Sequence, residues 1–153
     1  MKIKLDKGAI LPTRAYPTDA GLDLYSREEK VILPRYFSYT ELQTGKIKAI
    51  PMGETFDTGV HIQLKPGTFG RITGRSGLNM KYSIICPAGT VDASFRGSIK
   101  IKLYNIGPEP YVVHAGDRIG QLIIEHCEYP ELEIVDQLEE SDRSINGFGS
   151  TGR

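Results

Sequence analysis

Apolar residues recur along the chain in short runs, alternating or continuous, that glycine, proline and other turn residues separate. The sequence holds 17 glycines and 9 prolines, and this spacing is typical of many short strands, not of a helical bundle. The sequence therefore predicts an all-β fold of the jelly-roll or barrel type. The predicted strands cover residues 3–5, 22–25, 30–33, 47–51, 59–64, 69–74, 83–86, 97–104, 111–113, 119–127 and 131–135.

One short helix is expected after the strand that ends at residue 74. Ser76 is a suitable N-cap for residues 77–81, although Gly77 and Asn79 are weak helix formers. We therefore expect about one and a half turns there.

Two segments differ from this pattern. Residues 27–56 form a connection longer than a hairpin needs, and they carry the aromatic residues Tyr36, Phe37 and Tyr39. Residues 137–153 have few apolar side chains and several glycines, so ordering them is costly. The predicted organisation is a β core over 1–136, with an elaboration at about 27–56, followed by a flexible C-terminal arm over 137–153.

Composition limits the class of protein. With 153 residues, 19 basic and 19 acidic side chains, a single domain is expected and the general positive field of a nucleic-acid-binding protein is missing. No apolar run approaches the ~18 residues of a membrane span. The 2 cysteines are too few for a disulfide framework. These observations predict a cytoplasmic protein that binds neither membranes nor nucleic acids directly.

Residues 74–77 (Gly-Arg-Ser-Gly) are a candidate phosphate site, because they lie where a strand runs into the predicted helix. Backbone N–H groups, the Arg75 guanidinium and the Ser76 hydroxyl all suit phosphate oxygens. Taken alone, the segment is more typical of an ordinary turn with a surface arginine.

A second candidate is the glycine-bounded hairpin at residues 87–97. Asp92 would orient a water molecule, Phe95 would cover a sugar or base, and the backbone would read a base edge. Taken alone, these residues are more typical of a turn aspartate and a core phenylalanine.

Two polar residues lie inside apolar runs and need partners. Gln121 interrupts residues 119–124, and Asp23 interrupts residues 20–24. Burying either group without a partner would be costly. For Asp23 the candidates are an arginine, a hydrated metal or backbone N–H groups.

The end of the arm holds a different set of groups. Arg143, Phe148, Ser150 and Thr151 combine a cation, a ring between glycines and two hydroxyls. A mobile segment with these groups would close over a nucleotide, with the ring on the base and the polar groups on phosphate. A merely disordered terminus is the alternative.

Five motifs occur in order along the chain, and together they closely resemble the trimeric dUTP pyrophosphatase (dUTPase) family. The resemblance implies a jelly-roll-like (β-clip) homotrimer with three sites at subunit interfaces. It also implies hydrolysis of dUTP to dUMP and pyrophosphate, which limits uracil in DNA and supplies dUMP for dTMP synthesis. The motifs are Ala-Gly-x-Asp-Leu (20–24), Gly-Arg-Ser-Gly (74–77), Gly-x-Val-Asp-x-x-Phe-Arg-Gly (89–97), Gly-Asp-Arg-x-x-Gln-Leu (116–122) and Arg-x-x-x-Gly-Phe-Gly-Ser-Thr-Gly (143–152).

The resemblance also implies roles for individual residues. Asp92 would activate the water that attacks the α-phosphorus, and Mg²⁺ would be held mainly by the phosphates, with Asp23 contacting it through water at most. Phe95 would pack under the deoxyribose, and Phe148 would stack on the uracil. The implied substrate-binding set is Arg75, Ser76, Gly77, Gly89, Thr90, Val91, Asp92, Phe95, Lys100, Gln121, Arg143, Phe148, Gly149, Ser150 and Thr151.

Two alternatives remain open. A dCTP deaminase would share the fold and the trimer, although the arm and the apolar Val91 near the base argue against it. A regulatory protein that signals its nucleotide-bound state is the other alternative, and its protein partner would contact the aromatic residues of segment 27–56. This role is compatible with catalysis.

Overall fold

The computed structural model describes residues 1–34 and 53–141. Within these ranges the chain forms eleven strands and one short helix, so the fold is nearly all β, as predicted. The elements are β1 (Lys2–Leu5), β2 (Leu22–Tyr25), β3 (Lys30–Ile32), β4 (Glu54–Asp57), β5 (Val60–Gln63), β6 (Thr68–Thr73), α1 (Ser76–Tyr82), β7 (Ile84–Ile85), β8 (Gly89–Val91), β9 (Lys100–Asn105), β10 (Tyr111–Val113) and β11 (Arg118–His126).

The strands form small antiparallel sheets. The largest has the order β2-β11-β6-β8, and a three-stranded sheet has the order β4-β9-β7. Two further pairs, β1-β5 and β3-β10, complete the set in the described chain. In the largest sheet Asp23, Gln121 and Thr73 lie side by side on adjacent strands.

The core follows from the alternation seen in the sequence. In β9, Ile101 and Leu103 are 1% exposed, whereas Lys100 and Lys102, which alternate with them, face outward. Phe56 of the adjacent strand β4 and Leu24 of β2, in the largest sheet, are fully buried in the same core. Burial of this apolar surface on the inner faces is the main force that holds the sheets together.

Two strands were missed and one predicted strand was wrong. β4 and β8 hold only four and three residues, so they carry little periodic signal. Residues 131–135 form no strand, and Leu132 and Ile134 there are 94% and 99% exposed. The alternating pattern is present, but the described chain supplies no partner strand for it, and an unpaired strand is not stable.

The ends of segment 27–56 belong to the sheets. β3 pairs with β10, and β4 pairs with β9. The predicted strand at 47–51 lies outside the described residues, as does most of the segment, so the elaboration stays a prediction for residues 35–52. No helix in the part of the chain that the structure describes is long and apolar enough to cross a membrane.

The helix is slightly longer than expected and begins differently. α1 spans Ser76–Tyr82, and its N-cap is Arg75, which makes no side-chain cap hydrogen bond. Ser76 is therefore the first helical residue, and its predicted capping role is wrong. Leu78 is the buried residue that attaches the helix to the core.

Candidate active site

The hairpin that follows β7 opens into a cavity. β8 pairs with β6, with Gly89 opposite Ile72 and Val91 opposite Gly70. The cavity measures about 590 Å³, a size typical of small-molecule sites. Its lining includes every hairpin residue predicted to contact a nucleoside, together with Lys100 of β9: Gly89, Thr90, Val91, Asp92, Phe95 and Lys100.

The Asp92 carboxylate is open. The residue is exposed, and its side chain has no hydrogen-bond or ion-pair partner among residues 1–34 and 53–141. Its backbone carbonyl accepts from the Phe95 N–H at 3.0 Å, which closes a turn. This turn holds the residue while the carboxylate remains available to a water molecule or a ligand.

Phe95 forms one wall of the cavity and is 44% exposed. Its ring folds back over Gly97, where an added Cβ would lie 2.4 Å from the ring carbon Cζ. Gly97 is therefore required for this position of the ring. A flat apolar surface at the cavity rim suits the face of a sugar or base.

Cys86 also lines this cavity. Burial raises the pKa of its thiol to about 11, so the thiol is protonated at neutral pH. Its Sγ donates to the Pro87 carbonyl at 3.4 Å. Cys86 is thus a poor nucleophile and acts as part of the wall.

A second group of polar side chains surrounds Asp23, whose side chain is 5% exposed. Arg75 Nε lies 3.2 Å from Oδ1, and Gln121 Nε2 donates to the same oxygen at 3.2 Å. Arg118 Nη1 donates to Oδ2 at 3.2 Å. Both carboxylate oxygens are therefore occupied. Gln121 finds its expected partner in Asp23, and Asp23 is satisfied by two arginines and Gln121. Of the candidates for Asp23, arginine is correct.

Glycine makes room for this cluster at one position. A Cβ on Gly21 would lie 3.0 Å from Cδ and Oε1 of Gln121. The Gln121 amide therefore packs directly on the Gly21 backbone. This contact explains why a glycine directly precedes β2.

Arg75 connects the cluster to the helix. Its backbone carbonyl accepts from the N–H groups of Leu78 and Asn79, both at 3.1 Å, and its Nη1 donates to the Arg118 carbonyl at 3.2 Å. The next residues, Ser76 and Gly77, are exposed, and the first N–H groups of a helix have no intrahelical acceptor. A cavity of about 310 Å³ beside them is lined by Arg75, Gly77, Lys81 and Arg118, among others.

The sequence matches the dUTPase family model over residues 7–152. It is 42% identical to the deoxyuridine 5'-triphosphate nucleotidohydrolase of Corynebacterium efficiens, over 99% of this chain and 76% of that protein. It is 36% identical to the protein of the same name from Mus musculus, over 99% of this chain and 83% of that protein. The chain belongs to the dUTPase family.

The fold agrees with a solved dUTPase. The chain has a TM-score of 0.84 and 27% identity to the Staphylococcus bacteriophage 80alpha dUTPase with dUPNHPP, over 99% of this chain and 98% of that one. That structure is described with phage dUTPases that control transfer of virulence genes by a proto-oncogenic G protein-like mechanism. The nearly all-β architecture with one short helix is therefore a dUTPase architecture.

The structure sorts the dUTPase residues predicted from sequence into two groups. The hairpin residues line one cavity, and Arg75, Gln121 and Asp23 form the other group, with Ser76 and Gly77 adjacent. Arg143, Phe148, Gly149, Ser150 and Thr151 lie outside the described residues. Their predicted contacts with the substrate stay predictions.

Sequence reasoning missed the role of Arg118. It belongs to the motif at 116–122, but no function was assigned to it, although it is the second cation on Asp23. The signal that could have indicated Arg118 is the buried Asp23 carboxylate, because such a group often takes a further donor besides one arginine. A second missed residue, His61, contacts the hairpin from β5.

Proposed function

We propose that the chain hydrolyses dUTP to dUMP and pyrophosphate by attack of an Asp92-activated water on the α-phosphorus, with Mg²⁺. The observation that carries this proposal is an open carboxylate on the rim of a nucleoside-sized cavity. The activity as a whole follows from membership of the dUTPase family. Its cellular consequence would be to limit uracil in DNA and to supply dUMP for dTMP synthesis.

The hairpin supports recognition of the nucleoside. Asp92 would accept a proton from water, a role that needs an accessible carboxylate and no competing cation. Phe95 would pack against the deoxyribose and leave no room for a ribose 2′-hydroxyl. Gly89 and Thr90 would present backbone groups to the uracil, because an edge strand can pair with a base much as it pairs with a strand.

The Asp23 cluster supports binding of the phosphate chain. Asp23 holds Arg75 and Gln121 by the contacts described above, so their donors are oriented before substrate arrives. A guanidinium matches phosphate oxygens well. Ser76 and Gly77 would add a hydroxyl and backbone N–H groups from the start of α1.

Magnesium fits these residues as an ion that arrives with the phosphates. Among residues 1–34 and 53–141, no three His, Cys, Asp or Glu side chains converge as a metal cage. The donors on Asp23 already engage both its oxygens, which leaves it suited to a contact through water at most. When bound to the triphosphate, Mg²⁺ would neutralise charge on the phosphate oxygens.

The register of the largest sheet supports a site shared between chains. Val91 pairs with Gly70 of β6, so the next residue, Asp92, lies level with Phe69. Gln121 of β11 pairs with Thr73 of β6. Asp92 is therefore two strands away from Gln121 and displaced from it by four residues along the strands. At strand spacings this is roughly 14 Å along the strands and roughly 10 Å across them. The nucleoside and phosphate groups are thus two half-sites on one chain. A homotrimer with sites at its interfaces would unite half-sites from different chains.

Exposed apolar residues beyond β11 also support assembly. Tyr129, Leu132, Ile134 and Leu138 are between 68% and 99% exposed on the isolated chain. Such a run of exposed apolar side chains is typical of a segment that packs on another subunit. We propose that residues 128–138 lie on a neighbouring subunit and lead the arm, with Arg143 and Phe148, toward its site.

The direct test of the activity is pyrophosphate release from dUTP, dCTP, dTTP and UTP, with magnesium and with EDTA. We expect release from dUTP alone and its loss in EDTA. Ammonia release from dCTP would instead indicate the deaminase. Binding of dUTP with no hydrolysis of any of the four would contradict the catalytic proposal.

The shared site is tested by mixing two inactive proteins. Asp92→Asn and Arg75→Ala chains are each expected to be inactive, but trimers re-formed from equal amounts should contain some intact sites. Random assembly of a cyclic trimer would restore about a quarter of the wild-type activity. No restoration, with mixed trimers demonstrated by mass spectrometry, would place each site within one chain.

A nucleotide-dependent signal to a protein partner is a second candidate, favoured by the regulatory role stated for the phage dUTPases. Pro34 bridges to Asn105, and Glu54 pairs with Leu103, so segment 35–52 leaves and re-enters the fold beside β9. A short glycine-serine linker should therefore replace 35–52 with hydrolysis preserved. Loss of the trimer in gel filtration would show that the segment is structural.

A further inference from the structure

His61 of β5 lies against the back of the active-site hairpin, and its side chain is 18% exposed. Its Nδ1 is 2.8 Å from the backbone carbonyl oxygen of Arg96. On the other side of the ring, Nε2 lies 3.1 Å from Oδ1 of Asp6, at the end of β1. Nε2 is enclosed, and within the described chain no acceptor is aligned with its N–H direction. The Asp6 carboxylate is therefore its electrostatic partner.

The carbonyl that His61 contacts belongs to a loop closed on itself. Arg96 Nη1 donates to the carbonyl oxygens of Ala93, at 2.6 Å, and Phe95, at 2.7 Å. The loop is thus tied internally by the Arg96 side chain. The His61 contact attaches this loop to β5. A displacement of the imidazole would therefore shift residues 92–97 together.

We propose that His61 is a positioning residue, which fixes the loop 92–97 through the Arg96 carbonyl and so sets the place of Phe95, with Asp6 as its counter-charge. This inference rests on the proposed contact between Phe95 and the sugar. The anchor lies one residue from Phe95 and four residues from Asp92. Sugar selectivity should therefore depend on His61 more than turnover does.

The protonation of the ring follows from its partners. A backbone carbonyl only accepts, so Nδ1 carries a proton. Deprotonated Nε2 would turn a lone pair toward the Asp6 carboxylate, which favours the imidazolium. The pKa of His61 is raised, first by the bond to the Arg96 carbonyl and then by Asp6, while burial and Lys4 oppose the shift. Among the described residues, the charged groups that act on the ring are Asp6 and Lys4, while the Arg96 guanidinium is bound to its own loop.

The raised pKa of His61 makes the anchor stronger at low pH than at high pH. A raised pKa means that the anchor is fully present below the unfolded value, near 6.5, and weakens as the pH rises through the higher folded value. Neutral His61 keeps its Nδ1–H bond but loses the attraction to Asp6. Selectivity for dUTP over UTP should therefore decline as the pH is raised.

The test compares kcat/KM for dUTP and UTP between pH 5.5 and pH 9. The ratio for the two substrates cancels the effect of pH on the chemical step, because both reactions share that step. His61→Leu should lower this ratio about three- to tenfold, the range expected for one hydrogen bond, mainly through KM. His61→Asn keeps a donor near the Nδ1 position, so it should recover most of the ratio and remove the pH dependence.

Two further variants make the test specific. Asp6→Asn should move the decline in selectivity to lower pH, since the counter-charge is gone. His114→Leu is the matched control, because His114 also pairs with a carboxylate, Glu29, at 2.7 Å but is 63% exposed. It is expected to leave the ratio unchanged.

The affinity for dUpNHpp, the imido analogue of dUTP, separates this inference from the catalytic proposal, since binding requires no chemistry at Asp92. His61→Leu should weaken that affinity even if Asp92 proves dispensable. An unchanged dUTP/UTP ratio in a folded His61→Leu protein would overturn the inference. Equal losses of kcat for both substrates, with KM unchanged, would overturn it as well.

Discussion

The two aspartates of the candidate site have opposite environments. Asp23 is 3% exposed and holds two arginines and a glutamine. Asp92 is exposed and has no partner among the described residues. A buried carboxylate whose oxygens are all engaged is suited to fixing other groups in place. An open carboxylate beside a cavity is suited to chemistry, because its lone pairs are free to accept a proton.

The same division extends to the regions around them. The Asp23 cluster bridges two strands and the start of α1, so it ties binding groups to the stability of the fold. The hairpin is attached more lightly, by β8 and by the His61 contact. Substitutions in the cluster should therefore change stability and activity together, whereas those at the exposed hairpin residues Asp92 and Phe95 should change activity alone.

The largest effect is expected for Asp92→Asn. The amide keeps the shape but cannot take a proton from water, so kcat should fall by a factor of about 10²–10⁴. The affinity for dUpNHpp and the melting temperature should change little. Steady-state kinetics, calorimetric titration and thermal melting of one preparation measure all three.

A parallel loss of affinity and turnover in Asp92→Asn would contradict this division. The carboxylate would then be holding the substrate instead of acting on water. Glu109→Gln, which removes an exposed carboxylate between β9 and β10, is the matched control for the change in charge.

Asp23→Ala should combine a loss of stability with a loss of binding. Removing the carboxylate leaves Arg75 and Arg118 unpaired, but their side chains are 25% and 46% exposed and can be partly hydrated. The free energy of unfolding should therefore fall by about 2 kcal/mol, less than for a fully buried pair. KM for dUTP should rise about tenfold, because Arg75 and Gln121 lose their common anchor.

Denaturant unfolding and steady-state kinetics measure these two effects. A stable Asp23→Ala protein with normal KM would show that the cluster is incidental. A large loss of kcat with unchanged KM would instead assign Asp23 to the chemistry.

Much of this comparison was predictable from the chain. A polar side chain in an apolar run requires a partner wherever it is buried, and this rule led to both Asp23 and Gln121. The motifs predicted Asp92 and Phe95 as candidate site residues, and both line the cavity. The hydrophobic pattern also predicted most of the strands, because inward and outward positions alternate regularly in strands such as β9.

The remaining features depend on tertiary contacts that local sequence does not encode. β8 holds only Gly-Thr-Val, and it is a strand because β6 offers it an edge. His61 lies 35 residues from Arg96, so no local pattern connects them. Residues 131–135 show the reverse case, in which a correct periodic signal finds no partner strand in the described chain.

A smaller effect is expected for Gly21→Ala, which perturbs the cluster without removing a charge. The added Cβ would meet the Gln121 amide at 3.0 Å, so that side chain must shift away from Asp23. KM should rise about threefold, with kcat nearly constant, because one oriented donor is lost. An unchanged KM would mean that Gln121 does not contact the phosphates.

Gly77→Ala should have the smallest effect. Unlike Asp23→Ala, it should raise the stability of the fold. Apart from the neighbouring helix backbone, no atom of the described residues lies within 4 Å of a Cβ placed on Gly77, and the residue is in the first turn of α1. Alanine would therefore lower the entropy of the unfolded chain and favour the helix, which adds about 0.5–1 kcal/mol of stability. A rise in melting temperature for Gly77→Ala, beside the rise in KM for Gly21→Ala, would distinguish the two glycines, since Gly21 makes room for Gln121 and Gly77 meets no side chain of the described residues. A fall for Gly77→Ala would show that the open space beside α1 is filled in the assembled protein.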